Sequence, residues 1–252
     1  MKFALKNIVA AVAFVAAGAS HAASVAPGGD LGGGLTFDGG TGTLQFSGAL
    51  LEALDVGQIA ITEIPTLVDS SVEIDPDEGF YVGVSATAGI NTLEVDGSLN
   101  VLSAATSGGL LQTAPVLRSV SRGGFLGVSN LNVDLVGKRV FADISGGNGV
   151  GTLTNFHLWD IATVDGPTQI TGPGQFVTTL SGLSITTAGF NVFTQSLGLL
   201  TLGVGALQTV DDFGTITSTI NVSAVPEPSV YALMGVGLVA VGLVSRRRTK
   251  GN

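Results

Sequence analysis

An acidic run in the first third of the chain holds the densest group of possible metal ligands. Asp75, Asp77 and Glu78 stand close together and are followed by Gly79, a residue suited to a tight turn. Ca²⁺ takes carboxylate oxygens, but the run lacks the twelve-residue spacing and the terminal Glu of an EF-hand. Two interpretations stay open: a weak calcium site and a solvated turn. Apart from calcium, we expect no metal and no cofactor.

One histidine stands in the body of the chain. His157 has Asp160 three residues after it, a pair that could orient a serine nucleophile. No serine lies in the Gly-any-Ser-any-Gly turn that marks one large hydrolase class. A single histidine is also too little for zinc, which needs several ligands together. The sequence therefore predicts a partly exposed structural histidine beside Trp159, no catalytic residue and no enzyme.

Carboxylate pairs and aromatic side chains are the other groups with possible chemistry. Two carboxylates could hydrolyse glycosides, but the sequence does not single out a pair. Aromatic residues make up only 6% of the chain, few for a carbohydrate-binding surface. Trp159, Phe156 and Tyr81 could stack on a sugar, and core packing explains them equally well.

The elements that would position these residues have the pattern of strands. Short apolar or alternating runs are separated by clusters of Gly, Asn, Asp, Ser and Pro. They predict strands at 43–47, 59–64, 80–84, 90–95, 115–120, 152–160 and 216–222, with the clearest hairpin at 130–145. We expect an all-β fold, mainly an antiparallel β-sandwich or flattened barrel.

Two segments favour short helices within this fold. In 47–56, Ser47 is the predicted N-cap and Gly57 the end. In 187–198, Thr187 is the predicted N-cap, Gly198 ends the helix, and the side chains that would face the core are Phe190, Phe193 and Leu197.

The composition excludes several classes of function. The chain has no cysteine, which rules out disulfides, thiolate metal sites and a lipoprotein anchor. Residues 23–225 carry 18 acidic and 4 basic side chains, a formal charge of −14. Because such a body repels phosphate groups, nucleic acid is not an expected partner.

The N-terminus has the parts of a secretory signal peptide. Lys2 and Lys6 supply positive charge, and 8–17 is an apolar run too short for a retained membrane helix. Cleavage is expected after Ala22, with Ala23 as the near alternative. A signal peptide at 1–22 implies the secretion translocon and signal peptidase as partners.

The segment 225–250 has three parts in a fixed order. It begins with Pro226, Glu227 and Pro228, where the prolines bias the preceding residues towards extended backbone. The apolar residues 230–244 would span about 22 Å as a helix. With the flanking serines, a transmembrane helix at 229–245 comes near the lower limit for crossing a bilayer. The basic tail 246–250 would stay in the cytoplasm, and it begins with Arg246, Arg247 and Arg248.

This order of parts resembles the PEP-CTERM sorting signal of exported proteins in Gram-negative bacteria that make exopolysaccharide. The resemblance covers about residues 224–250. It implies that an exosortase, a membrane enzyme with a cysteine nucleophile, recognises Pro226, Glu227 and Pro228 and processes the chain there. It also implies that Arg246, Arg247 and Arg248 form the retention signal. It implies nothing about the catalytic ability of the body, residues 23–224.

These observations lead us to expect a non-enzymatic surface or extracellular-matrix protein associated with exopolysaccharide or biofilm. Its precursor would be anchored in the inner membrane with the body on the periplasmic side. The processed protein would then reach the cell surface or the exterior. The alternatives are a carbohydrate- or calcium-binding β-sandwich, with or without hydrolytic activity, and a permanently anchored periplasmic protein that is never cut.

Overall fold

The computed structural model of the protein describes residues 22–64, 66–67 and 70–225, together with 234 and 236. The described part consists mostly of antiparallel strands, which confirms the predicted all-β class. The strands are β1 (Ala23–Val25), β2 (Gly29–Gly32), β3 (Leu35–Phe46), β4 (Ala60–Glu63), β5 (Ser70–Asp77), β6 (Phe80–Val95), β7 (Val101–Ser107), β8 (Gly109–Leu117), β9 (Ser121–Asp134), β10 (Arg139–Gly146), β11 (Gly151–Asp165), β12 (Gly174–Ile185) and β13 (Gly214–Ala224). The helices are α1 (Gly48–Val56), α2 (Thr187–Ser196) and α3 (Thr201–Gln208).

Eight antiparallel strands close into a ring, the flattened-barrel form of the predicted architecture. The order around the ring is β6, β3, β13, β12, β11, β10, β9 and β7, and β7 pairs with β6 again. β1 and β5 pair with β6, β2 with β3, β8 with β9, and β4 with β8. The chain bends between β7 and β8 at Gly108, where a Cβ would lie only 2.5 Å from the Cβ of Ala88.

The predicted hairpin at 130–145 is present, with its turn at residues 135–138. β9 ends at Asp134 and β10 begins at Arg139. Asp134 accepts a hydrogen bond from the backbone N–H of Gly137 at 2.7 Å and forms an ion pair with Arg139 at 3.0 Å. Lys138 has a positive φ of 52°, which the tight turn requires.

Two strand predictions have the wrong bounds. The segments 80–84 and 90–95 belong to one strand, β6, because the small and polar residues between them also pair with β3 and β5. The strand expected at 115–120 ends at Leu117, and Ser119 lies in a turn with a φ of 64°.

The helices agree with the sequence in part. α1 has the predicted cap, since the Ser47 hydroxyl accepts the N–H of Leu50 at 3.1 Å. The cap of α2 is Thr186 rather than Thr187: its hydroxyl oxygen accepts from the N–H of Gly189 at 2.9 Å. α3 was not expected, because it contains two glycines and has no side-chain cap.

No helix within the described residues is long and apolar enough to cross a membrane. The predicted anchor at 229–245 lies outside them except for Met234 and Val236, and so does the signal peptide except for Ala22.

Within the described residues, the core consists of two hydrophobic clusters, one towards each end of the ring. The larger cluster includes Trp159, Phe193 and Phe213 and lies beside the three helices. The smaller one includes Phe37 and Ile170 and fills the opposite end. The loop 166–173 closes that end, because Val101 donates its N–H to the carbonyl of Thr168 at 2.7 Å.

Both ends of the described body lie at the end of the ring away from the helices. Ala23 begins β1 opposite Val95, and Ala224 ends β13 opposite Leu35. The helices lie at the opposite end of the ring. Helix α1 follows the last residue of β3, α2 follows the last residue of β12, and α3 precedes the first residue of β13. We call the end with both termini the terminal end and the other the helical end.

Candidate functional site

The predicted sorting segment begins where the fold ends. β13 ends at Ala224, and the backbone N–H of Val225 donates to the carbonyl oxygen of Gly34 at 2.8 Å. The fold therefore holds the residue directly before the motif. The motif and retention residues lie outside the described part of the chain: Pro226, Glu227, Pro228, Arg246, Arg247 and Arg248.

The expected signal cleavage lies at the other junction of the same end. Ala22 precedes the first strand, and Ala23 is its first residue. A cut after Ala22 would leave β1 complete, whereas a cut after Ala23 would remove the residue that pairs with Val95. The position of the cut stays a prediction.

The acidic run lies in a hairpin at the surface. Asp75 and Asp77 belong to β5, and Glu78 and Gly79 form the turn to β6 with positive φ values of 50° and 93°. All four residues are exposed. Among the residues that the structure describes, no group of three or more His, Cys, Asp or Glu side chains is arranged to hold a metal ion.

His157 is partly exposed, as expected, and its neighbours explain it structurally. Its Nε2 lies 3.0 Å from Oδ1 of Asp160, so the pair suggested by the sequence is formed. The imidazole also packs on the ring of Phe141, with 5.2 Å between centroids. Its backbone carbonyl accepts a hydrogen bond from the hydroxyl of Thr186, the α2 cap.

The aromatic candidates for sugar stacking are engaged in the fold. Trp159 is only 4% exposed, and its ring lies 6.4 Å from that of Phe213. Phe156 is partly buried and packs against the larger core cluster. For Trp159 the core-packing alternative is therefore correct.

Tyr81 joins β6 to the segment that follows α1. Its hydroxyl donates to the carbonyl of Ile59 at 2.9 Å and accepts the N–H of Ile61 at 3.3 Å. Burial raises the pKa of Tyr81 above its ordinary value, the bond from Ile61 lowers it, and the nearby Asp55 carboxylate adds to the increase. Tyr81 therefore stays a neutral structural link at ordinary pH.

A cavity of about 70 Å³ lies inside the ring, lined by members of both core clusters. Its wall includes one cross-strand row of small residues. Ala88 of β6 faces Gly42 of β3, Gly42 faces Ser218 of β13, and Ser218 faces Thr178 of β12. The space is left because these side chains are too short to meet across the ring.

Larger side chains lie on the helical side of this row. The next cross-strand row is formed by Ala86, Leu44, Ile216 and Leu180, and all four line the cavity. On the terminal side, Ile220 pairs with Phe176, and Ile220 also lines the cavity. The cavity thus lies at the level of the small-residue row, between two layers that larger side chains fill.

Two buried polar atoms, each in a residue that lines the cavity, have no hydrogen-bond partner. They are Oε1 of Gln112, a residue 2% exposed, and Nε1 of Trp159. The wall hydroxyls of Thr106 and Thr178 donate to the carbonyls of Leu131 and Pro167, at 3.2 and 2.8 Å.

Sequence reasoning missed Gln112, although a signal was present. In β8 the residues Leu110, Gln112 and Ala114 are buried and alternate with more exposed neighbours. Strict alternation places Gln112 on the apolar face, and a polar residue there points towards the interior.

Comparison with known proteins concerns mainly the C-terminus. Residues 224–248 match the family model of the PEP-CTERM protein-sorting motif. No curated protein matches the chain. The C-terminal domain of HtaA from Corynebacterium glutamicum is a structural match with 11% sequence identity and a TM-score of 0.43, covering 73% of this chain and 99% of that domain.

The sorting motif is confirmed at the predicted position. It marks the chain as an exported protein that has a membrane-anchored precursor and is sorted by exosortase-type machinery. The retention role of the arginines and the point of cleavage stay predictions.

Proposed function

We propose that the chain is a non-enzymatic protein of the cell surface or extracellular matrix of a Gram-negative bacterium, associated with exopolysaccharide or biofilm. The observation that carries this proposal is the match of residues 224–248 to the sorting motif. The precursor would have its body on the periplasmic side, and processing would release the body to the surface or the exterior.

The side chains of the body support a role without catalysis. His157 is engaged by Asp160 and packs on Phe141, and Trp159 is buried in the core. The acidic run on β5 and its turn is spread along an exposed hairpin. None of these residues forms the nucleophile, base and orienting group that a hydrolase would need.

The charge of the body supports a location outside the cell. Residues 23–225 have a formal charge of −14, which keeps such a body soluble by mutual repulsion. The edge strand β5 carries Glu73, Asp75 and Asp77. Charges on an edge strand hinder strand pairing with another copy and so oppose aggregation at high local concentration.

The position of the termini supports delivery from a membrane. Both junctions, at Ala23 and Val225, lie at the terminal end of the ring. A precursor held by its predicted anchor would therefore point its helical end away from the bilayer.

The test is the intact mass of the native protein from cells that produce it, with and without their exosortase. We expect a chain that begins at Ala23 and ends near the motif, found with the exopolysaccharide fraction. Without the exosortase we expect the C-terminal tail to be retained and the protein to stay in the membrane fraction.

Variants separate sorting from folding in this experiment. Glu227→Ala should retain the tail, whereas Glu73→Ala, which removes an exposed carboxylate from β5, should be processed normally. A tail retained in wild-type cells would contradict the sorting step. Equal recovery from cells that make no exopolysaccharide would contradict the matrix association, and hydrolytic turnover lost on one Asp or Glu substitution would contradict the non-enzymatic role.

A further inference from the structure

We propose that the protein binds further copies of itself, through a basic knob on one copy and an acidic pocket on the next. The knob is formed by the turn between β8 and β9 and by the start of α3, and it consists of Val116, Arg118, Arg122, Leu200 and Leu202. The pocket lies on the outer face of β3, β5 and β6, and its wall includes Gln45, Glu73, Asp75, Gly83 and Ser85. This inference goes beyond the proposed function.

Hydrogen bonds and strand pairing hold the parts of the knob together. Leu200 and Leu202 donate their backbone N–H groups to carbonyl oxygens of the turn between β8 and β9, at 2.7 and 3.0 Å. These bonds place the start of α3 against the turn. Val116 of β8 and Arg122 of β9 are paired directly opposite each other, so their side chains lie on the same face.

The knob exposes apolar surface that one copy leaves uncovered. Val116 is 77% exposed, Leu202 is 59% exposed and Leu200 is 38% exposed. Single exposed apolar residues are ordinary, but these three belong to one turn and to the helix start that is bonded to it. Removing this surface from water would favour association with a partner.

The knob also carries two basic side chains that are exposed. Of the four basic residues in 23–225, Lys138 donates to a backbone carbonyl at 3.3 Å and Arg139 pairs with Asp134. Arg118 and Arg122 are exposed, and neither forms an ion pair with a described residue. Because the body has a formal charge of −14, an acidic surface of a second copy is a fitting partner for these arginines.

The pocket is built by a row of side chains that crosses three strands. Glu73 of β5 faces Ser85 of β6, and Ser85 faces Gln45 of β3. Asp75 comes two residues after Glu73, so it lies on the same face of β5, and it is opposite Gly83. Because Gly83 has no side chain, it leaves space beside the two carboxylates. The open pocket has a volume of about 390 Å³.

The charges of the knob and the pocket are complementary. A guanidinium group is planar and can donate two parallel hydrogen bonds to one carboxylate. Arg118 and Arg122 supply two such groups, and Glu73 and Asp75 supply two carboxylates. Both carboxylate residues are exposed, so they can be reached from outside the body.

The apolar parts of the two surfaces can also meet. Phe80 is 62% exposed and is paired with Asp77, two residues after Asp75, so its ring lies on the same outer face as the pocket. In the contact it would cover Val116 or Leu202 of the next copy. This contact uses the outer face of β5 and β6 and leaves the edge of β5 unpaired, so it is compatible with charges that oppose strand pairing.

The contact is of the head-to-tail kind. The knob and the pocket are different surfaces of the same body, so each copy offers one of each, and a bound pair still has a knob and a pocket to offer. The negative charge of the bodies opposes their approach, which keeps the association weak and reversible. Copies would therefore assemble where their local concentration is high.

Sedimentation velocity of the full chain in micelles of a non-ionic detergent tests the proposal. The mean mass of the protein should rise reversibly with concentration, with half of the copies associated at roughly 0.1 mM, as expected for a small transient interface. A chain that stays monomeric up to about ten times that concentration would overturn the proposal.

A single substitution assigns the association to the knob. Arg122→Glu places like charges across the contact and should weaken association by more than about tenfold. Lys138→Glu is the matched control, because it makes the same change in net charge at the turn between β9 and β10. It should change the association by less than about twofold. Equal effects of the two substitutions would show that net charge alone matters, and would overturn the proposal.

A charge exchange tests whether the knob meets the pocket. The knob variant Arg118→Glu/Arg122→Glu and the pocket variant Glu73→Arg/Asp75→Arg should each stay monomeric alone. Their mixture should associate, because each knob then meets a pocket of opposite charge. Both variants keep a negative body, so a general attraction does not explain association on mixing.

Two outcomes of the exchange would overturn the proposal. One is a mixture that stays monomeric although both variants unfold at the wild-type temperature, which we expect because all the substituted side chains are exposed. The other is a monomeric wild type that binds a polyuronate and loses this binding in Arg122→Glu. That result would show that the knob takes an anionic polymer instead of a second copy.

Discussion

The backbone N–H of Val225 donates to the carbonyl oxygen of Gly34 at 2.8 Å, one residue before the sorting motif begins. The folded body is thus held in place up to the motif that the sorting enzyme must reach. Four residues separate Val225 from the predicted apolar stretch, and they can span at most about 14 Å.

Because this distance is short, we expect the length of the linker to limit the rate at which the C-terminal tail is removed. Insertion of eight Gly and Ser residues between Val225 and Pro226 should speed removal of the tail, because the enzyme gains room between the body and the bilayer. Pulse-chase labelling followed by intact mass measures the rate. The same insertion in the exposed turn after Glu78 is the control and should leave the rate unchanged. A slower or equal rate in the linker variant would mean that the body does not hinder access.

The cap of α2 gives a test between two neighbouring threonines. Thr186 accepts from the N–H of Gly189 and donates to the carbonyl of His157, whereas Thr187 is exposed. Thr186→Ala should therefore lower the free energy of unfolding by about 1–2 kcal/mol. Thr187→Ala should change it by less than about 0.5 kcal/mol. Urea unfolding followed by Trp159 fluorescence measures both, and equal effects would contradict the observed cap.

The two glycines of α3 predict opposite effects of the same substitution. A Cβ at Gly205 would meet no atom within 4 Å, so Gly205→Ala should stabilise the fold by about 0.5–1 kcal/mol through helix propensity. A Cβ at Gly203 would lie 2.5 Å from the carbonyl oxygen of Val120, so Gly203→Ala should destabilise it. Thermal unfolding of the two variants gives the signs. Stabilisation by both would show that α3 can move away from the turn after β8.

Sequence patterns predicted the strands well where one face is apolar and the other polar. The hairpin at 130–145 is the clearest case, since Val133 and Val140 are buried and pair with each other. The helix α1 was found because Ser47 and Gly57 mark its ends. Here a local signal and the tertiary packing agree, which is the condition for a successful prediction.

The features that were missed depend on contacts between distant parts of the chain. α3 has two glycines and no cap, and it forms because Gly203 allows close approach to Val120. The centre of β6 escaped prediction because residues 85–89 are small and polar. Those residues face the cavity or neighbouring strands, and only the closed ring makes them part of one strand.

The hydrogen bonds to the Asp96 carboxylate predict how the free energy of unfolding changes in acid. Its carboxylate accepts hydrogen bonds from the Asn100 side chain at 2.8 Å and from the backbone N–H groups of Asn100 and Ser98. The Asn100 amide, followed by the Asn100 N–H, lowers the pKa of Asp96 below its ordinary value of 3.8. The folded state thus favours the charged form, so this stabilisation is complete above the ordinary pKa and is lost as the pH falls through the lower, folded pKa.

The variant Asp96→Asn isolates this contribution. At neutral pH it should be less stable than the wild type, and the difference should narrow as the pH falls below about 4, where the wild-type carboxylate becomes protonated. Urea unfolding at several pH values measures the difference. A difference that stays constant down to pH 2 would contradict the role of Asp96.

The placement of both junctions at one end of the ring also decides which surface other molecules can meet. In a precursor tethered as we propose, the loops around Gly34 and Asp96 would face the lipid headgroups and be shielded by them. The first part of the body that a polymer strand or a neighbouring cell met would then be the layer formed by α1, α2 and α3. Removal of the tether would expose the shielded loops for the first time, so the same fold would present one face before processing and two faces after it.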